Sequence, residues 1–89
     1  MSRYRKIVLR ESEFATPEDV HRQLARELAF PKHYGENLDA LEDCLGDIDS
    51  PTRIVIKRSA KSPKAWFDGF EEVVRESAQR SCFLACTIR

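Results

Sequence analysis

Between residues 36 and 49 the chain carries Glu36, Asp39, Glu42, Asp43, Asp47 and Asp49 with no base among them. The next stretch, residues 50–67, carries Arg53, Lys57, Arg58, Lys61 and Lys64 with no acid. Carboxylates at this density allow three kinds of chemistry. They can bind a metal, but carboxylates on one short helix with no histidine beside them make a poor cage. They can serve as acid and base, but no pocket or neighbouring cation is visible to split the two pKa values. They can meet a strongly cationic partner, which needs only fixed negative charge on a rigid support.

The support is a helix. Asn37 is a plausible cap, and Leu38, Leu41, Cys44, Leu45 and Ile48 recur at helical spacing until Gly46 ends the regular helix. Asp39 and Asp43 are four apart, so they stack on the side opposite Leu41 and Leu45, flanked by Glu42 and Asp47. A like-charge pair at this spacing costs about 0.2–0.5 kcal/mol. Acids toward the C-terminal end oppose the helix dipole at about 0.3–1 kcal/mol each. A local rule broken without visible compensation points to a functional surface, against the plainer reading of a solvated acidic face.

Other elements must hold this helix. Residues 4–9 end in Ile7, Val8 and Leu9 and read as a strand. Thr16 caps a helix, Pro17 fits its first turn, and Glu18 and Asp19 sit at the positive end of its dipole. Val20, Leu24 and Leu28 carry that helix to about residue 29, before Pro31. Residues 33–37 form a glycine-containing loop. Thr52–Ile56 reads as a second strand, and its apolar run predicts burial on both faces. Ser62 and Pro63 open a helical stretch with Trp66 and Phe67. Gly69 divides it from a longer helix marked by Phe70, Val73, Val74, Ser77 and Ala78. Residues 82–88 form a third strand, and residues 57–64 a loose surface loop. The alternation predicts an α/β fold, a small three-stranded parallel sheet packed by three to four helices.

Eighty-nine residues allow one domain, residues 1–89. At 42% apolar and 34% charged, the composition is that of a globular domain and excludes a disordered tail. The longest apolar run, residues 82–86, is five residues, far short of a membrane span, and residues 1–6 lead into no signal-peptide core, so the expected location is cytoplasmic with no membrane partner. Fifteen bases cancel fifteen acids, which argues against a general nucleic-acid binder. Cys44, Cys82 and Cys86 are an odd count and read as reduced thiols.

Residues 27–45 closely resemble the barstar family, the intracellular inhibitors of barnase-type ribonucleases. The resemblance rests on Tyr34-Gly35-Glu36-Asn37-Leu38-Asp39-Ala40-Leu41, followed by Asp43 and Cys44. It extends weakly over the whole chain, with Arg75, Glu76 and Cys82 where the family's last helix and strand would place them, and is poor between Gly46 and Phe70. It implies a three-stranded parallel sheet packed by helices, and tight inhibition in which the second helix and its preceding loop plug the ribonuclease active site. Carried onto this chain, Asp43 resembles the central carboxylate that enters a cluster of phosphate-binding cations, and Asp39 its neighbour. Gly35, Asn37 and Leu38 resemble the loop and helix-start contacts, and Glu76 a peripheral acid. The implied surface also takes in His33, Glu42, Gly46 and Asp47. The chain departs from the family's type member at His33 and Glu42, which replace aromatic residues, and at Arg80, which stands where another acid is expected. The implied partner is a barnase-type ribonuclease, bound 1:1 by a chain that is monomeric when free, with no cofactor or metal.

The remaining candidates are plainer. His21 falls on the charged side of its helix and is expected at the surface. Cys44 is expected as a small core residue, Cys82 and Cys86 as packing residues on one face of a strand, and Trp66 as half-buried packing. The basic stretch 53–64 lacks the interleaved aromatics of a single-stranded nucleic-acid binder. An enzyme built on Asp39 and Asp43 would lack both a nucleophile–base pair and a glycine-rich phosphate loop. The alternative of most weight is a binding module of the same fold directed at another basic protein or toxin.

Overall fold

The computed structural model describes residues 5–89; Tyr4, where the first strand is expected to begin, lies outside them. The elements are β1 (Arg5–Arg10), a 3-10 turn (Glu11–Glu13), α1 (Pro17–Leu28), α2 (Leu38–Gly46), β2 (Thr52–Lys57), α3 (Phe67–Arg80) and β3 (Leu84–Ile88). The strands form one parallel sheet in the order β1-β2-β3, with Ile7 opposite Ile54 and Ile54 opposite Cys86. This is the α/β architecture expected from the alternation, with three helices.

Local chemistry sets the helix starts. Thr16 and Asp19 form a capping box, in which the Asp19 N–H donates to Thr16 Oγ1 and the Thr16 N–H to Asp19 Oδ2. Asn37 Oδ1 accepts the Ala40 N–H at 2.8 Å and starts α2. One apolar cluster joins Ile7, Leu9, Ile54 and Ile56 of the sheet to Val20 and Leu24 of α1, Leu41 and Leu45 of α2, and Phe70 and Val74 of α3. Val55 points to the other side of the sheet yet is also buried, as expected for a central strand.

Four local expectations need correction. Residues 62–66 are turns rather than helix, and Gly69 lies inside the continuous helix α3 instead of dividing it. A Cβ at Gly69 would stand 2.8 Å from Leu38 Cδ1, so the glycine serves the close approach of α3 to the start of α2. Cys82 is exposed and precedes β3, because pairing with β2 begins at Leu84, while the Phe83 N–H turns back to Ser81 Oγ. Residues 57–64 are not loose, because they enclose a buried carboxylate.

That carboxylate is Glu11, which is 0% exposed. Arg58 Nε and Nη2 donate to its two oxygens at 3.1 and 3.3 Å. The backbone N–H groups of Ser59 and Lys64 donate to the same oxygens at 2.7 and 2.6 Å. Arg58 also reaches Asp68 and Glu71 on α3, each at 2.7 Å. Burial alone would push the Glu11 pKa up. The hydrogen bonds from Arg58, Ser59 and Lys64, with the charge of Arg58, outweigh it and hold the pKa at about 2, below the ordinary 4.5. The folded value lies below the unfolded one, so this stabilisation is complete above pH 4.5 and is lost as pH falls through about 2. Glu11→Gln is therefore expected to destabilise the fold by about 3 kcal/mol, the lower end for breaking a buried pair, since Arg58 keeps its α3 partners. It should also flatten the loss of stability in that acid window, which denaturant melts across pH would show.

Candidate functional site

α2 buries Leu41 and Leu45 and turns Asp39 and Asp43 to solvent. Neither aspartate makes an ion pair among the described residues. Asp39 lies in the first turn, where the dipole favours it; Asp43 does not, and no base stands in the last turn. Asp47 is exposed at the C-cap, next to the exposed Gly46. Asp39, Asp43 and Asp47 are thus neither swallowed by the core nor paired within the chain among the described residues. No group of three or more metal-ligating side chains gathers among the described residues, and none of their helices is long and apolar enough to cross a membrane.

The loop before α2 exposes His33, Gly35, Glu36 and Asn37 and leaves Leu38 half-buried. Glu36 has φ 52°, a left-handed conformation that costs a non-glycine residue on the order of 1 kcal/mol. Tyr34 anchors this loop. Its ring packs 4.9 Å from Phe30, and its hydroxyl lies 2.6 Å from His21 Nδ1.

His21 is the residue the sequence misplaces. It is 3% exposed and its ring sits 4.8 Å from that of Phe70. Positions 21, 24, 25 and 28 share one helical stripe, and that spacing would have found it. Burial lowers its pKa, against the opposing charges of Glu36 and Glu18. Cys44 is half-buried, and burial together with Asp47 and Asp43 pushes its thiol pKa up, which suits packing rather than reactivity.

A groove of about 570 Å³ runs between the C-terminal halves of α2 and α3. Asp43, Asp47, Arg80 and Phe83 line it, and Ser77 contributes to its wall with a buried Oγ that has no hydrogen-bond partner. Arg80 Nη2 donates to Glu42 Oε2 at 2.8 Å, so Glu42 is engaged within the chain and a cation stands at the edge of the acidic face. Glu76 is exposed on α3, outside this pair.

Tyr34→Phe should leave His21 Nδ1 without its partner and cost about 1–3 kcal/mol. It should also speed amide exchange at Gly35, Glu36 and Asn37 more than in the centre of α3, which hydrogen-exchange NMR would detect.

Residues 4–82 match the family model described as Barstar (barnase inhibitor). A Bacillus subtilis (strain 168) protein named "Putative ribonuclease inhibitor YrdF" is 38% identical over 79 residues, covering 84% of this chain and 87% of that protein. A family match over nearly the whole chain, on a three-stranded parallel sheet with an exposed acidic second helix, places this protein in the barstar family.

Proposed function

We propose that this protein is an inhibitor of a barnase-type ribonuclease, acting by binding and not by turnover. In this reading α2 and residues 33–37 plug the cationic active site in a 1:1 complex formed in the cytoplasm. The carrying observation is the pair Asp39 and Asp43, exposed on one face of a rigid helix with no internal counterion among the described residues. The family match and the name of the similar Bacillus protein support the same reading.

The physics runs from the substrate. A ribonuclease site holds phosphates and so presents converging positive charge. Carboxylates fixed on a helix imitate that charge without a cleavable bond. Charge-assisted hydrogen bonds, above all bidentate ones from arginine, supply strength and geometry, and the long-range field speeds encounter. Asp43 is the central contact and Asp39 its neighbour. Gly35, Asn37 and Leu38 shape the approach, with His33, Gly46, Asp47 and Glu76 around them. Glu42 contributes once released from Arg80. His33 and Glu42 in place of aromatic anchors shift the interface from packing toward charge and suit a partner other than barnase itself.

Titration calorimetry against barnase-type ribonucleases tests this. Asp43→Ala should weaken binding most, by about 2–5 kcal/mol, and Asp39→Ala next. Losses at the rim acids Asp47 and Glu76 should shrink as salt rises. Arg80→Ala should free Glu42 and tighten binding severalfold. A folded protein that inhibits no ribonuclease of this type would overturn the reading.

A further inference from the structure

The sheet has a second charged surface, on the side away from the helices. Strand alternation puts Lys6 and Arg10 of β1 and Arg53 and Lys57 of β2 on the side of Val55, opposite to Ile54 and Ile56. The register sets Lys6 opposite Arg53 and Arg10 opposite Lys57. Arg89 extends the last row, because its N–H donates to the Ile56 carbonyl and its own carbonyl accepts the Arg58 N–H. No acid occupies a strand position on this side. Lys6, Arg10, Lys57 and Arg89 have no ion pair among the described residues, and Arg53 donates to Thr87 Oγ1 at 3.0 Å.

Like charges directly opposite one another destabilise a sheet, so this arrangement works against the fold. A neutral polar face would cover Val55 as well. We infer that the open face of the sheet binds the phosphate backbone of single-stranded RNA without reading its sequence. The choice of occupant follows from what the face offers. A protein partner would want an aromatic or apolar anchor at the centre of the interface. A membrane would want apolar side chains to insert. Here Val55 is buried, Val8, Ala85 and Thr87 are half-buried, and among the described residues of this face only cations are exposed. A phosphodiester chain can be held by cations alone, more weakly than where aromatic side chains also stack on its bases. Asp39 and Asp43 belong to a different surface, on α2, turned away from its buried Leu41 and Leu45. The inference does not rest on the inhibitor reading, since RNA binding and ribonuclease inhibition are measured separately.

The test is fluorescence anisotropy with a labelled uridine 15-mer and the full chain. With four cations engaged, log affinity should fall with log salt at a slope of about −3, roughly fiftyfold between 50 and 200 mM. The triple variant K6Q/R10Q/K57Q should lose at least tenfold in affinity and flatten the slope. Its thermal stability should hold or rise, since like-charge opposition is relieved. D39N/D43N should bind RNA no more weakly than the parent. No binding at 50 mM salt, full binding by the triple variant, or capture of phosphatidylserine vesicles in preference to the RNA would each overturn the proposal.

Discussion

A carboxylate with no access to solvent ties this fold together. Glu11 opens the turn after the first strand, yet its hydrogen bonds come from residues about fifty positions away, Arg58, Ser59 and Lys64. An ionised carboxylate without such donors would be prohibitively costly to bury. The donors must therefore be in place whenever Glu11 is, and the loop after β2 is fixed by that requirement. Through Arg58 the same group fixes the start of α3, which has no side-chain cap of its own. α3 in turn packs on α2, with Gly69 so close to Leu38 that a Cβ there would require the leucine side chain to shift. The position of the acidic helix thus depends on a charge buried at the far end of the chain's first strand.

Folding converts a net charge of zero into two opposed fields. Asp39, Asp43 and Asp47 lie exposed on α2, while Lys6, Arg10, Arg53 and Lys57 lie on the face of the sheet away from the helices. Each group of like charges costs local stability, on the helix by spacing and on the sheet by register. The one cross-element ion pair at the acidic face, Glu42 with Arg80, is 44% and 64% exposed in its side chains and contributes little to stability. Its consequence is electrostatic, because it subtracts one carboxylate from the face and adds a cation beside it.

The helix caps, the three strands and the orientation of α2 were legible because each follows from spacing or from chemistry within a few residues. Thr16, Pro17 and Asn37 act on their own helix starts. What escaped the sequence depends on contacts between distant segments. Gly69 resembles a helix breaker until Leu38 is seen against it. The basic stretch 57–64 looks solvated because nothing nearby in sequence announces that Glu11 will enter it. Cys82 alternates correctly for a strand, but the partner strand starts pairing only at Leu84. The basic sheet face was hidden for the same reason, since Lys6 and Arg53 become neighbours only through parallel pairing. His21 is different: its stripe was readable, and the polarity of a histidine concealed it.

The buried pair of His21 and Tyr34 bears on recognition through rigidity. A loop that is ordered only on binding loses conformational entropy at that moment, and affinity falls accordingly. Here the loop before α2 is fixed in advance. Tyr34 is held by His21 and Phe30, and Asn37 caps the helix. Electrostatic recognition gains most from such fixing, because a carboxylate that wanders a few ångströms exchanges a directed contact for a solvated one. In the proposed reading, a surface with His33 and Glu42 in place of aromatic anchors depends more heavily on charges held in place. In the proposed inhibitor reading, the buried His21, whose pKa burial lowers, supports the loop beside the aspartates.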